Sequence, residues 1–483
     1  MRTFTTLAIA ASALGANALD LVQPRDLAAP KVIQHEIQRR HVDDPVASDR
    51  ARALARLRKR QDNIVTEVLD NYETLYFMNI SIGTPAQDLR MHIDTGSSDL
   101  WVNVASSEIC EAAGNYCDRG AVYAPNSSST YTFINSDFNI SYVDGTGASG
   151  DYVSDVVRFG DVTLEDQQFG VGYYSTSQEG VLGIGYPINE VAVQYNGNDP
   201  YPNIPAHLVD NSLINTNAYS LWLNDLDAST GNILFGGVNT DKFEGTLAEI
   251  PIITEYGYYA EFIIALTALG ANGTEGAIAS DLTLPALLDS GSSLMYLPTS
   301  IVQTIYDTYG AQYDESQGAA FVDCSLANVD ASIDFTFSGI TITVGMDELV
   351  LLVAYDRGTE ICILGISPTS GTPVLGDTFL RSAYVVYNIA GNEIAMAQTN
   401  FNSTTDNILE ITQSSSVPSA TLVQNAVTNV AVESGDARIG GPSGIGGGYT
   451  VTISSEGYAM PTAAVGYNAA LLGAAGAGLA FAW

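Results

Sequence analysis

The chain contains 483 residues, of which 54 are acidic and 18 are basic, so its formal net charge is −36 at pH 7. A polyanion of this kind repels phosphate backbones, which excludes nucleic acid as a partner. The length allows two or three domains, each with its own core. Only four histidines and four cysteines are available for metal or covalent catalysis.

Two segments with targeting features precede the main part of the chain. Residues 1–18 combine a basic residue, an apolar run and a small-residue end at Ala18, which predicts a secretory signal peptide and export. Residues 19–60 are basic and end at Arg58-Lys59-Arg60, a site for a dibasic-processing peptidase. We interpret them as a propeptide, with a basic surface helix as the alternative.

The charge of the chain changes sign at this junction. Residues 1–60 hold 11 basic and 6 acidic residues, whereas the remainder holds 7 basic and 48 acidic residues. The two parts therefore attract each other, and the attraction weakens as carboxylates become protonated. This predicts a zymogen that binds its own propeptide and opens in acid.

The region from residue 61 to residue 401 has the pattern of a β protein. Short segments rich in Tyr, Thr and Ser alternate with turn signals, as in Thr132-Phe133-Ile134 and Ala383 to Tyr387. One helix is expected from Thr299 to Tyr309, because apolar residues recur there at helical spacing after a proline.

Two short segments of this region nearly repeat each other: Asp94-Thr95-Gly96-Ser97-Ser98 and Asp289-Ser290-Gly291-Ser292-Ser293. One such segment alone is an ordinary turn signal. A Leu-Gly pair also recurs, with Gly183 lying 89 residues after Asp94 and Gly376 lying 87 residues after Asp289. The matched intervals predict two related lobes that bring the two carboxylates together.

Paired buried carboxylates can share one proton and so provide a base and an acid at the same pH. A water held between Asp94 and Asp289 could lose a proton to one carboxylate while the other donates to a carbonyl oxygen. The sequence contains neither a nucleophile elbow nor a His-Glu-x-x-His motif. The pair therefore predicts hydrolysis without a covalent intermediate and without a cofactor.

With these motifs the sequence resembles the pepsin-like aspartic peptidases, from Tyr76-Phe77-Met78-Asn79-Ile80 through Val374-Leu375-Gly376-Asp377 to Ala395-Met396-Ala397. The resemblance implies an all-β, bilobal pepsin-like fold, with an N-lobe at about residues 70–245, a C-lobe at about residues 246–401 and a cleft between them. It also implies a monomeric aspartic endopeptidase that cleaves proteins in acid, similar in style to the yapsin-like cell-surface members.

The resemblance implies roles for residues beside the pair. The hydroxyls of Thr95 and Ser290 would cross-brace the two turns. The hydroxyls of Ser97 and Ser292 would hydrogen-bond the outer carboxylate oxygens, and Gly96 and Gly291 would permit the tight turns.

A flap that closes over the substrate is also implied. Tyr142 would lie on this hairpin and Trp101 would orient it, with an ordinary strand aromatic as the alternative for Tyr142. Asp144 matches an acidic flap residue that lets some fungal relatives accept Lys or Arg before the scissile bond, although an exposed turn residue fits equally well. His92, two residues before Asp94, is interpreted as a packing residue of the same strand face, with tuning of the pH profile of the aspartate pair as the alternative.

An even number of cysteines in an exported chain indicates disulfides, and the resemblance implies the pairs Cys110–Cys117 and Cys324–Cys362. A zinc site is the competing interpretation, but these spacings do not suit a tight metal cluster, so no metal is expected. N-glycosylation sequons begin at Asn79, Asn126, Asn139, Asn272 and Asn402.

The C-terminal part changes composition twice. Residues 402–462 are rich in Ser, Thr and Gly, which predicts a flexible stalk. Residues 463–483 are apolar and uncharged and resemble the removed signal of a glycosylphosphatidylinositol anchor, with Ser454-Ser455 or Gly446-Gly447-Gly448 as the attachment site. A transmembrane tail is the alternative. We expect a secreted protein attached to the membrane through a lipid anchor.

Two other functions fit parts of the sequence. A catalytically inactive relative could bind peptides in the same cleft, and a structural cell-wall glycoprotein would share the stalk. The intact residues Asp94, Asp289 and Tyr142 disfavour the first function. The short stalk behind a large folded region disfavours the second.

Overall fold

The computed structural model describes residues 30–40, 75–111, 117, 120–142, 146–194, 197–228, 230–255, 257–356 and 358–430. The predicted signal peptide, most of the predicted propeptide, the predicted anchor signal and Asp144 lie outside these residues. The part that is described consists mainly of strands, as the sequence predicts, with a few short helices.

The first twelve strands lie before residue 252. They are β1 (Ile33–Arg40), β2 (Leu75–Ile82), β3 (Gln87–Asp94), β4 (Leu100–Asn103), β5 (Thr132–Ser141), β6 (Gly147–Phe159), β7 (Val162–Ser175), β8 (Gly180–Gly183), β9 (Tyr219–Trp222), β10 (Thr230–Phe235), β11 (Gly237–Asn239) and β12 (Phe243–Pro251).

Seventeen further strands follow. They are β13 (Ile263–Leu266), β14 (Ala268–Ala271), β15 (Thr274–Ala279), β16 (Leu284–Leu288), β17 (Met295–Pro298), β18 (Gln312–Asp314), β19 (Ala319–Val322), β20 (Ser332–Phe337), β21 (Ile340–Gly345), β22 (Val350–Asp356), β23 (Thr359–Leu364), β24 (Ile366–Thr369), β25 (Val374–Leu375), β26 (Ala383–Asn388), β27 (Glu393–Thr399), β28 (Ile408–Glu410) and β29 (Ala420–Leu422).

The helices are short. They are α1 (Glu108–Glu111), α2 (Val191–Gln194), α3 (Ile204–Asp210), α4 (Thr299–Tyr309), α5 (Met346–Leu349) and α6 (Asp377–Leu380), with 3-10 turns at Pro125–Ser127, Pro187–Asn189, Thr240–Lys242 and Cys324–Asn328.

Helix α4 confirms the helix predicted from the spacing of its apolar residues. It buries Ile301 and Ile305, and it ends at Gly310, whose φ of 71° is the left-handed conformation that glycine adopts without steric cost. Within the described residues, no helix combines the length and the apolar character that crossing a membrane requires.

A 14-stranded sheet links most of the described chain, in the order β29-β12-β27-β26-β9-β10-β1-β2-β3-β8-β4-β7-β6-β5. Strand β1 belongs to the predicted propeptide and lies inside this sheet, antiparallel to β10 on one side and to β2 on the other. Its backbone hydrogen bonds therefore join β10 to β2, which both belong to the N-terminal half.

A five-stranded sheet, ordered β13-β16-β25-β17-β24, belongs to the C-terminal half. Leu284, Ala286 and Leu288 of β16 point into the main apolar core. Leu287, on the opposite face, belongs to a separate apolar cluster with Ile263 of the neighbouring strand. This alternation follows from the two-residue period of a strand.

The folded part continues past residue 401, where the sequence predicts the start of the stalk. We call residues 402–430 the C-terminal strap. Its strand β28 pairs with β11, its strand β29 pairs in parallel with β12, and Ile411 is fully buried. The domain therefore ends later than the predicted boundary, because these residues bury apolar side chains that composition alone did not single out.

Candidate active site

Each aspartate of the repeated segments lies at the end of a buried strand. Asp94 is the last residue of β3, which runs parallel to β8 with Asp94 opposite Gly183. Asp289 follows β16, which runs parallel to β25 with Leu288 opposite Leu375. The two matched intervals in the sequence therefore correspond to two equivalent strand pairs.

The glycine of each Leu-Gly pair faces a crowded backbone. A Cβ at Gly183 would lie 2.7 Å from the amide nitrogens of Ser98 and Asp99, and a Cβ at Gly376 would lie 2.3 Å from the carbonyl oxygen of Ser292. Any side chain at either position would push the catalytic turn away from its supporting strand. Glycine is therefore required at both places.

The turn after each aspartate holds its carboxylate with two donors. Gly96 N donates to Asp94 Oδ1 at 2.8 Å, and Ser97 Oγ donates to Asp94 Oδ2. The second turn repeats this arrangement on Asp289, with Gly291 N at 2.9 Å and Ser292 Oγ at 2.8 Å. The serines and glycines therefore lie where the resemblance implies.

The two turns are joined by reciprocal hydrogen bonds. Thr95 Oγ1 donates to Leu288 O at 2.9 Å and accepts from Ser290 N at 3.0 Å. Ser290 Oγ donates to Ile93 O at 3.0 Å and accepts from Thr95 N at 3.2 Å. All these groups are buried, so each bond satisfies polar atoms that water does not reach.

The two carboxylates converge on one point. A Cβ at Gly291 would lie 2.4 Å from Asp94 Oδ1 and 3.0 Å from Asp289 Oδ1. The aspartates are only 3 % and 1 % exposed, respectively. The fold therefore brings together two acidic groups that are far apart in sequence and holds them in equivalent environments.

A hairpin of β5 and β6 carries the tyrosine assigned to the flap. Tyr142 follows β5, and its hydroxyl accepts a hydrogen bond from Trp101 Nε1 at 2.7 Å. Trp101 is fully buried, in an apolar cluster with Phe138 and Ile140 of β5. Trp101 thus links the position of Tyr142 to the body of the N-terminal half.

His92 lies beside the second of the two turns. Its Nε2 is 3.3 Å from the carbonyl oxygen of Ser290, and its ring packs 5.6 Å from that of Phe77. The side chain therefore lies against the base of the second turn.

A buried ionic group lies next to Asp289, and the sequence analysis did not identify it. Arg381 is fully buried and donates through Nε to Glu348. Asp377 is also fully buried, and burial raises its pKa well above the ordinary value, as does nearby Asp289, against the opposing effect of Arg381 and Arg39. The Gly376-Asp377 motif marks this position in the sequence. Neither the periodicity of apolar residues nor the spacing of the motifs shows that the carboxyl group of Asp377 is buried.

A second buried acidic group supports the first turn. Asp99 accepts hydrogen bonds from the hydroxyls of Tyr152 and Tyr201 at 2.7 and 2.8 Å and from Val191 N at 2.9 Å. Beside it, burial and then the charge of Asp99 raise the pKa of Glu190 to about 10. Glu190 is therefore protonated in acid and at neutral pH.

The cysteines form the two disulfides that the resemblance implies, Cys110–Cys117 and Cys324–Cys362. The five sequon asparagines all have exposed side chains, including Asn79 within β2. In the described ranges, no three His, Cys, Asp or Glu side chains are grouped as metal ligands would be.

Comparison with known proteins agrees with this geometry. The family described as "Eukaryotic aspartyl protease" matches residues 75–399, which is more than half of the chain. The chain belongs to this family. It is therefore an aspartic-type endopeptidase with the pepsin-like, β-rich fold.

Individual relatives extend beyond the family match. The "Probable aspartic-type endopeptidase opsB" of Aspergillus oryzae is 54 % identical over 439 residues, covering 89 % of this chain and 88 % of that protein. "Aspartic proteinase yapsin-3" of Saccharomyces cerevisiae is 36 % identical over 379 residues, covering 75 % and 73 %. The crystal structure of the aspartic proteinase from Irpex lacteus matches with a TM-score of 0.58 at 19 % identity, covering 78 % of this chain and all of that one, and supports the fold.

Proposed function

We propose that this endopeptidase is an exported zymogen that cleaves proteins in acid, with Asp94 and Asp289 acting together on one water molecule. The observation that carries the proposal is the convergence of the two carboxylates within symmetric sets of donors. Each carboxylate has one hydroxyl and one amide donor, so the fold does not commit either aspartate to a permanent role.

The mechanism follows from one proton shared by two carboxylates. The ionised member takes a proton from the water as it attacks the scissile carbonyl, and the protonated member donates to the carbonyl oxygen. The tetrahedral intermediate then collapses as the amine leaves with a proton. The cross-braced turns would keep both carboxylates within reach of the water, and the flap that carries Tyr142, held by Trp101, would close over the substrate.

Substitution of either aspartate tests this function. Asp94→Asn and Asp289→Asn should each lower kcat for a denatured protein substrate at acid pH by about a hundredfold or more. Asp88→Asn is the matched control, since Asp88 lies on the same strand β3 with an exposed side chain. Equal activity of wild type and either active-site variant would exclude the mechanism.

The position of β1 supports the zymogen. This strand of the predicted propeptide fills a place inside the large sheet, and Arg39 lies opposite Tyr76 beside the buried ionic group. His35 on the same strand has a pKa lowered by burial, against the opposing charge of Glu36. Docked β1 therefore binds fewer protons at His35 than the released strand does. The contribution of His35 to docking is intact above about pH 6.5 and is lost as the pH falls through the lowered pKa.

Substitution of His35 tests this acid release. His35→Leu should lower the pH at which the purified zymogen becomes active, because no imidazole remains to be protonated. Gln38→Asn, an exposed change on the same strand, should leave that pH unchanged. Activation of the His35 variant at the wild-type pH would contradict a role for His35.

The proposal includes a lipid-anchored location at the cell surface, supported by the N-terminal signal features and the uncharged C-terminal residues of the sequence. Treatment of intact cells with a phosphatidylinositol-specific phospholipase should release the activity. Activity that stays with the membrane after this treatment would favour a transmembrane tail.

Tolerance of basic residues is the part of the proposal that concerns specificity. It is supported by Asp144 in the flap sequence and by the excess of acidic residues after residue 60. A peptide library cleaved by wild type and Asp144→Ala should show weaker use of Lys and Arg by the variant. An unchanged preference would discard the role of Asp144.

A further inference from the structure

The sheet that carries Asp289 has two apolar faces with different coverings. Its inner face joins the main core through Leu288. On its outer face, Leu287 forms a separate cluster with Ile253, Ile263 and Ala265. Val374 packs against this cluster and lies opposite Leu287 in the adjacent strand β25.

Asp289 continues the outer face. Alternate residues of a strand point to the same side, so Leu287 and Asp289 share one face of the segment that ends β16. The outer apolar cluster therefore leads directly to one of the two converging carboxylates. Whatever covers this cluster borders the site where a peptide must lie.

The C-terminal strap covers this outer apolar cluster. Val427 and Val430 pack against the outer cluster, and Val427 N donates to Ser338 Oγ at 2.9 Å. Ser338 N in turn donates to Thr267 Oγ1 at 3.0 Å, just past the end of β13 that is remote from Asp289. Val427 therefore lies at the far end of the cluster. Val430 packs on the same cluster three residues further along the strap, and three residues span at most about 10 Å, which is enough to reach the part nearer Asp289.

The strap is also attached to the domain at earlier points along its course. Lys242 Nζ lies 3.2 Å from Asp406 Oδ1, donates to Ser403 O at 2.8 Å and lies 4.5 Å from the centre of the Trp222 ring. Val417, beyond these contacts, is 3 % exposed. The strap lies outside residues 75–399 that match the family.

We propose that Val430, supported by Val427, forms an apolar wall of the substrate groove on the Asp289 side and sets the size of the aliphatic or aromatic substrate side chain that binds there. The inference rests on the proposed catalytic pair. It makes the segment that joins the domain to the C-terminal region a determinant of specificity.

The experiment uses the activated full-length enzyme and pairs of peptides that differ at a single position, chosen from a library profile. Val430→Ala should raise kcat/KM for the bulkier member of a pair relative to the smaller one by about tenfold at one substrate position, since a pocket gains the volume of two methyl groups. Val430→Ile should shift the same ratio the opposite way. Preferences at other positions should stay as in the wild type.

Leu422→Ala is the matched control, because Leu422 lies on strand β29 of the strap and is 49 % exposed. It should change no ratio. Unchanged ratios in both Val430 variants would overturn the proposal. An equal fall of kcat/KM for all peptides, accompanied by a lower melting temperature of the variant enzyme, would also overturn it. If Val430→Ala does not fold, the shift in the kcat/KM ratio measured for Val430→Ile tests the proposal alone. Failure of the proposed catalytic pair is distinguished by retained cleavage in Asp94→Asn, whereas failure of the wall alone leaves Asp94→Asn inactive and the Val430 ratios unchanged.

Discussion

Thr95 and Ser290 show how single side chains hold two halves of a site together. Each hydroxyl donates to a carbonyl oxygen of the opposite half and accepts from an amide there. A serine or threonine in a turn ordinarily bonds its own backbone. Here the hydroxyls instead connect segments about two hundred residues apart, so the distance between the carboxylates depends on them.

The variant Thr95→Val tests this bracing at constant size. It should leave Leu288 O and Ser290 N without their partner, at a cost of about 1 to 3 kcal/mol in the free energy of unfolding. It should also lower kcat roughly tenfold or more, because the carboxylates lose their fixed separation. Chemical denaturation and steady-state kinetics measure the two effects. Thr163→Val, on an exposed position of β7, should change neither, and a fully active Thr95 variant would show that the brace is dispensable.

At the scale of elements, the strap and strand β1 occupy places in the same large sheet. Strand β29 forms one edge of it and β1 lies inside it. Only seven basic residues follow residue 60, and one of them, Lys242, is 4 % exposed and paired with Asp406 of the strap. Lys242 therefore attaches the strap to the domain by charge, in addition to the apolar contacts of the strap.

The variant Asp406→Asn tests this attachment. A hydrogen bond from Asn239 and the charge of Lys242 lower the pKa of Asp406, so its contribution to stability is present above about pH 4 and is lost as the pH falls. The variant should therefore melt at a lower temperature than wild type at pH 6 and at nearly the same temperature at pH 3. It should also be cut faster in the strap by a probe protease. Asp199→Asn, which removes an exposed charge outside the strap, should match wild type at both pH values.

At the scale of the whole molecule, several buried carboxyl groups make the folded state more stable in acid than at neutral pH. Burial raises the pKa of Glu190 to about 10 and that of Glu255 to about 7. Burial, with added effects from Glu393, raises the pKa of Glu249 to about 8. Net repulsion among the many remaining carboxylates acts in the same direction. The folded protein therefore keeps protons that the unfolded chain releases.

The expected consequence is a melting temperature that falls as the pH rises. A carboxyl group with a raised pKa contributes its full stability below the unfolded value near pH 4.3, and this contribution declines until the folded pKa is reached. Calorimetry of an inactive variant such as Asp94→Asn should show highest stability near pH 4 and a steady loss up to pH 8. Adding Glu249→Gln should flatten the loss between pH 4.3 and 8 by a few degrees. A melting temperature that rises over this interval would refute the account.

The sequence by itself determined the helix at Thr299–Tyr309 and the β-rich fold and singled out the proposed catalytic pair, because a repeated motif and local periodicity are written in neighbouring residues. The resemblance gave the disulfide pairs, which the structure contains, and the proposed flap tyrosine. Only the tertiary structure decided what depends on distant contacts. These are the burial of Asp377 and Glu190 and the pairing of β1 and of the strap strands with the sheets of the domain, although composition predicts a removable propeptide and a flexible stalk there. Burial and strand pairing arise between segments far apart in sequence, and no local pattern encodes them.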